Sequence, residues 1–175
     1  DEPERWPVRQ HTIRYAGPVF TVATDLVEMP DGSTAERDLV QRPGAVAVLP
    51  YDQDTDRVLL LRQYRHPVGM ALWEPPAGLC DVADEPPRRT AERELFEEAH
   101  LRAADWRRLV KLYVSPGLTD ETFLIYLAGG LTEVPVDDRH VAENGEAVLV
   151  PAWLDRSEVV EGVLAGRLGN PATVA

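Results

Sequence analysis

Cysteine is nearly absent. Cys80 is the single one in 175 residues, so no internal disulfide can form. That suits a reducing compartment, and a cytoplasmic protein is the expectation. With no second Cys or His close by in sequence, Cys80 reads as a small, partly buried apolar side chain. Positive charge is scarce as well. Eighteen Lys and Arg stand against 30 Asp and Glu, a formal net charge of −12. Such a field repels phosphate backbones and argues against nucleic acid as a partner. It also repels small anionic substrates, so a phosphate-handling enzyme with this balance needs divalent cations and a few well-placed arginines. No apolar run approaches the roughly 18 residues of a membrane span, and no membrane partner is expected. No leader-like apolar segment follows Asp1, although the absence of an initial Met leaves a removed segment open. Repeats, low-complexity stretches and obvious linkers are also lacking. What remains, 44% apolar and 27% charged residues, is ordinary for one soluble globular domain.

Residues 15–40 read as short extended segments around a turn at Pro30-Asp31-Gly32. Gly44 to Leu49 and Val58 to Gln63 are compact apolar strands joined by a turn over Asp52 to Asp56. Gly78 to Glu85 is a loop, and Pro86-Pro87 suits a helix start, which predicts a helix from about Pro87 to Ala99. Two further strands are expected at Trp106 to Tyr113 and Thr122 to Leu127, with Ser115-Pro116-Gly117 between them, and a short last one at Ala147 to Val150. A second helix should begin near Asp155. Asp155 with Glu158 resembles a capping box, and Val160, Val163, Leu164 and Leu168 fall at helical spacing. Asn170-Pro171 signals another helix start close to Ala175, so that helix reads as cut short. Strands interspersed with helices predict an α/β or α+β layer architecture.

The informative segment is Thr90 to Leu101, TAERELFEEAHL. Glu94 and Glu98 are four apart and project from one helical face, with Glu97 beside them. Ala91, Leu95 and Ala99 form a separate stripe that can pack on a sheet. Read alone, the acidic face can be a solvated surface. Like charges four apart cost a few tenths of a kcal/mol on an exposed helix, and no lysine is placed to relieve them. A hard divalent cation converts that repulsion into binding, because Mg²⁺ takes oxygen ligands from one or two carboxylates plus substrate phosphates.

Glu85, then seven residues, then Arg93-Glu94-Leu95-Phe96-Glu97-Glu98-Ala99-His100-Leu101 resembles the Nudix box, G-x5-E-x7-R-E-U-x-E-E-x-G-U with U aliphatic. Two positions depart from it. Gly78 lies one residue too far from Glu85, so the loop carries an insertion or Asp84 takes the acidic role. His100 replaces the glycine that ends the helix, where a left-handed backbone favours Gly. The resemblance implies a Nudix fold, an α/β/α sandwich around a mixed sheet over residues 44–175, preceded by an N-terminal antiparallel sheet in residues 1–43 that exchanges in a homodimer.

Beyond the box, Arg62-Gln63-Tyr64-Arg65, Trp73-Glu74-Pro75-Pro76-Ala77-Gly78 and the stretch to Pro87 are similar to the bacterial ADP-ribose pyrophosphatases. Pro116 lies sixteen after His100 (116 − 100), the spacing that accompanies ADP-ribose specificity there, and Thr119-Asp120-Glu121 follows suitably. The resemblance implies hydrolysis of ADP-ribose to AMP and ribose 5-phosphate with Mg²⁺, or Mn²⁺ in its place. It implies metal held by Glu94, Glu98 and the Ala77 carbonyl with Glu97 in support, and an Arg93–Glu85 ion pair orienting the box. Arg65 and Arg37 match substrate-contacting arginines, Phe20 an adenine-stacking residue of the partner subunit, and Glu74, Pro116 and Glu121 further substrate positions. The general base is implied to lie in the loop Asp137 to Glu146, with Glu143 the first candidate and Glu146 the second. Two other readings stay open. One is a Nudix hydrolase of another nucleotide sugar or of a dinucleotide such as NADH, and the other is a non-catalytic nucleotide-binding sensor.

Overall fold

The Pro30-Asp31-Gly32 segment turns the chain because Gly32 takes φ +83°, open to a residue without a Cβ, and Asp31 Oδ1 accepts hydrogen bonds from Ser33 N and Oγ. The turn joins β2 (Thr21–Glu28) to β3 (Thr34–Gln41), and β1 (Val8–Ala16) pairs with β2 to complete a three-stranded antiparallel sheet in the order β1-β2-β3. The computed structural model describes residues 2–140 and 149–175. This sheet with residues 113–122 forms one unit, and residues 44–112 with 123–175 form a second. The extended segments read from Tyr15 onward thus begin earlier, at Val8. Eight of the nine β1 residues are exposed, so no buried alternating face marks that strand in the sequence.

The second unit is built on a seven-stranded mixed sheet. Its path is β10 (Val150–Asp155), β5 (Arg57–Arg65), β4 (Ala45–Asp52), β9 (Thr122–Glu133) and β8 (Leu101–Tyr113), with β6 (Met70–Glu74) on β5 and β7 (Ala77–Leu79) on β4. β4 and β9 run parallel, from Ala45 opposite Phe123 to Pro50 opposite Ala128, whereas β4 pairs β7 and β5 pairs β6 and β10 antiparallel. Side chains alternate across the sheet. Val46, Val48, Leu59 and Leu61 therefore bury against Ala91 and Leu95 of α1 (Pro87–Ala99) on one face. On the other, Val58 and Leu60 meet Val159 of α2 (Arg156–Leu164), and Ala47 and Ile125 meet Ala172 of α3 (Pro171–Val174). The result is a sheet between helices, as expected. No helix among the described residues is long and apolar enough to cross a membrane.

Several local expectations change. The last strand is Val150–Asp155 rather than Ala147 to Val150, and residues 147 and 148 lie outside the described ones. The capping box at Asp155 is not made, because the Asp155 carboxylate accepts from Arg57 Nε at 2.8 Å across β10 and β5. The apolar stripe of α2 is rotated from the expected one. Val159 and Gly162 are buried, while Val160 and Leu164 are exposed, since Leu168 folds back onto Gly162 and takes the space the stripe would fill. β6 and β7 have no strand signal of their own in the sequence. Each is five residues or fewer and borrows its pairing from β5 or β4.

α1 ends as the box glycine would end it, without the glycine. His100 adopts φ 54°, ψ 38°, and its N–H caps the carbonyls of Leu95 and Phe96. Its Nδ1 is buried with no hydrogen-bond partner among the described residues. A left-handed non-glycine residue carries strain, and an unsatisfied nitrogen adds to it. His100→Gly is therefore expected to stabilise the protein by about 1 kcal/mol, raising Tm by roughly 2–4 °C. Thermal unfolding of the two proteins checks this, and an unchanged or lower Tm would contradict it.

Candidate functional site

Glu94 and Glu98 stand on α1 where it crosses the short strand β7. Glu98 Oε2 accepts a hydrogen bond from the Ala77 N–H at 2.8 Å. Gly78 lies so near Glu94 that a Cβ there would fall inside 3.0 Å of the carboxyl carbon and both oxygens. Glycine is thus required here by close approach of a carboxylate to backbone rather than by an unusual φ. Glu94 is buried, the usual fate of a carboxylate only when it has charged or polar company. Arg93 provides it, with Nη1 at 2.6 Å from Glu94 and 3.2 Å from Glu97, and Nη2 at 3.5 Å from Glu85. The Nudix-box resemblance pairs Arg93 with Glu85 alone, and the structure adds Glu94 and Glu97 to that pair. The long Arg93 side chain bridges one turn of helix and neutralises part of the acidic face. Partial burial pulls the Arg93 pKa down, but the Glu94, Glu97 and Glu85 carboxylates together outweigh it and move the pKa up. Glu85 is also fixed by Thr90, whose buried hydroxyl donates to Oε2 at 2.9 Å. The extra residue in the loop is absorbed by a turn from Val82 to Glu85 in which Asp84 takes φ 61°.

The arginine expected to touch substrate, Arg65, closes β5 opposite Met70 and reaches the end of β6. Its Nη2 lies 2.8 Å from Glu74 Oε1 and its Nε donates to Glu74 Oε2 at 3.3 Å. Glu74 is 3% exposed, so its carboxylate faces Arg65 and Asn170 rather than solvent. Burial pushes its pKa up, against the pull of Arg65. Asn170 is legible in the sequence as a helix start, but its contact with Glu74, 96 positions away, has no local signal. Cys80 packs at the edge of the core cluster, and burial pushes its thiol up, so it is no thiolate nucleophile at neutral pH.

Phe20, Arg37, Pro116 and Glu121 all fall in the first unit. Phe20 is exposed and packs on Tyr15 at 5.7 Å between ring centroids. Arg37, exposed on β3, donates to the Glu36 carbonyl. Pro116 lies in the turn closed by Ser115, and Glu121 Oε1 sits 3.4 Å from Nε of Arg42, a residue with no signal of its own in the sequence. Glu143 and Glu146 lie outside the described residues.

A profile of the NUDIX domain matches residues 41–170. This chain belongs to the Nudix family. A Mycobacterium tuberculosis protein named ADP-ribose pyrophosphatase is 42% identical over 161 residues, 92% of this chain and 76% of that one. A Bacillus methanolicus protein named methanol dehydrogenase activator is 36% identical over 119 residues, 68% of this chain and 63% of its own length. Among solved structures, one titled "Crystal structure of ADP compounds hydrolase" superposes with a TM-score of 0.77 at 20% identity, covering 98% of this chain and 87% of that one, and so shares the Nudix fold.

Nudix hydrolases generally need divalent metal ions. The described residues hold no group of three or more His, Cys, Asp or Glu side chains arranged to bind one. The donors that are present nevertheless fit a hard cation of the magnesium kind, which takes one or two carboxylates and leaves its other positions to water and phosphate. Two Nudix-box carboxylates, Glu94 and Glu98, meet the backbone of Ala77 and Gly78, and the missing Cβ of Gly78 keeps that contact open. Glu97 is turned toward Arg93, which makes it a neighbour of the charge cluster.

Proposed function

We propose that this Nudix protein is an enzyme that hydrolyses ADP-ribose to AMP and ribose 5-phosphate. Water adds to one phosphorus, the bridging P–O bond breaks, and the two protons of water are divided between the general base and the phosphate products. The observation that carries the reading is the seat of Glu94 and Glu98 against the Ala77-Gly78 backbone, at the spacing of the Nudix box. The mycobacterial relative's name supports the substrate.

Glu94 and Glu98, with the Ala77 carbonyl, hold Mg²⁺, or Mn²⁺ in its place, with Glu97 in support. When bound, the ion offsets negative charge on the phosphoryl oxygens and lowers the pKa of a bound water. Arg93 and Glu85 keep the box carboxylates in place. Arg65 and Arg37 supply cationic contacts that the overall charge of −12 otherwise lacks. Phe20 supplied by the partner subunit stacks the adenine, and Pro116 and Glu121 complete substrate recognition. Glu143 takes the proton from the attacking water, with Glu146 the second candidate. Glu143→Gln is expected to lower kcat about 10²-fold or more while KM changes little. If only Glu146→Gln does so, the base is Glu146.

The protein acts as a cytoplasmic homodimer. Val8, Ile13, Tyr15 and Phe20 are each more than two-fifths exposed in one copy, a run of apolar surface that a second copy covers. Light scattering should give twice the chain mass, and a monomer would contradict the exchange of this sheet.

A second reading, a nucleotide-binding sensor that does not cleave, rests on His100 in place of the box glycine and on the extra residue between Gly78 and Glu85. A panel of ADP-ribose, a nucleotide sugar and NADH, followed by product chromatography with Mg²⁺, separates the readings. AMP from ADP-ribose at the highest kcat/KM supports the proposal. Faster turnover of another member reassigns the substrate, and tight binding without products favours the sensor.

A further inference from the structure

Glu74 and Arg65 are joined by a third residue from the far end of the chain. Asn170 Nδ2 donates a hydrogen bond to Glu74 Oε2, the oxygen that also accepts from Arg65 Nε. Glu74 Oε1 meets Arg65 Nη2 as an ion pair but holds no hydrogen bond among the described residues. The carboxylate is therefore oriented through Oε2, by one neutral and one charged donor. The amide of Asn170 cannot reverse at no cost. Its Oδ1 accepts from the Ala172 N–H at 2.9 Å and caps α3, which leaves the NH₂ group for Glu74. The segment carrying Asn170 is itself pinned, with Thr173 Oγ1 donating to the Trp73 carbonyl at 2.8 Å and Ala172 buried against Ala47 and Ile125. The Arg65 side chain at the other end is 45% exposed. One end of this chain of contacts is fixed in the core and the other faces outward.

We propose that Asn170 is a positioning residue, which fixes the Glu74 carboxylate so that Arg65 presents its guanidinium to the diphosphate of the substrate. The inference rests on the reading of Arg65 as a substrate contact. Glu74 then acts through Arg65 and does not touch substrate. A long arginine side chain loses rotamer freedom when held, so prior orientation acts on substrate affinity before it acts on the chemical step.

The test is a double-mutant cycle on the full chain with ADP-ribose. Asn170→Asp keeps an oxygen for the Ala172 N–H, as Asp is a good helix cap, but removes the donor and sets a carboxylate against Glu74. It is expected to raise KM about five- to tenfold, with kcat within about twofold, since a hydrogen bond to a charged group is being lost. Arg65→Ala is expected to raise KM at least as much. On the Arg65→Ala background Asn170→Asp should then add less than about twofold, because the residue it acts through is gone. A full multiplicative effect on that background, or a fall in kcat in place of the KM rise, overturns the inference. If Arg65→Ala raises KM and Asn170→Asp does not, the inference fails while the reading of Arg65 stands. If Arg65→Ala leaves KM unchanged, both fail. Should Asn170→Asp not fold, Asn170→Ser keeps the cap, lacks the amide donor, and is read the same way.

Discussion

Glu98→Gln is expected to lower kcat for ADP-ribose by about 10³-fold while leaving the fold intact. Structurally, Glu98 accepts one hydrogen bond from the Ala77 N–H, and the carbonyl oxygen of a glutamine can accept the same bond. The helix keeps its length and its buried stripe of Ala91 and Leu95, and the substitution also removes one member of a like-charged pair on the helix. Chemically, the lost negative charge is one of the two carboxylates proposed to hold the cation. Stabilisation of phosphoryl charge by a bound metal amounts to several kcal/mol, and about 1.4 kcal/mol corresponds to a factor of ten in rate. Release of AMP gives kcat and a thermal melt gives stability. Wild-type turnover in the variant would remove Glu98 from the site, and an equal collapse of stability would make its role structural.

Gly78→Ala should abolish most activity without touching a charged group. Gly78 has no unusual backbone angle, so alanine meets no backbone strain. Its methyl group would nonetheless occupy the place of the Glu94 carboxylate, inside 3.0 Å of three of its atoms. The carboxylate is the movable end of a flexible side chain, so the expected response is that Glu94 swings away from β7. The cost in stability is about 1–2 kcal/mol, because a buried charge is being repositioned rather than left unpaired beside Arg93. The cost in turnover should be about 10²-fold or more, comparable to Glu94→Gln. The two substitutions combined should be barely worse than either alone, since both remove the same carboxylate from the same place. Independent, multiplicative effects would show that Gly78 matters for another reason.

Much of this site could be read from the chain because it is local. A helix places residues four apart on one face whatever surrounds it, so the relation of Glu94 to Glu98 and the bounds of α1 follow from spacing and from Pro86-Pro87. The N-cap at Asn170 follows in the same way. Contacts between distant parts of the chain could not be read. Nothing near Glu74 announces Asn170, and spacing alone does not bring Gly78 to Glu94: the family resemblance places the Ala77 carbonyl with Glu94, and the contact itself forms only as β7 pairs with β4 and α1 packs across both. Nor does spacing show where a long side chain will turn. Arg93 could have pointed to solvent but gathers three carboxylates. The Asp155 capping signal was genuine as a local preference and lost to a stronger partner, the Arg57 guanidinium across the sheet. Most of the edge strand β1 is not legible in the sequence, because its residues are exposed on both faces and leave no alternating pattern.

Glu94 and Glu98 are proposed to hold a divalent ion against the diphosphate. A crystal of the protein soaked in Mn²⁺ and a non-hydrolysable ADP-ribose analogue, with the metal located by anomalous scattering, decides this. The expected peak lies within about 2.0–2.3 Å of a Glu94 and a Glu98 oxygen and in contact with a phosphate oxygen of the analogue. A bound analogue whose metal peak lies away from both carboxylates overturns that assignment.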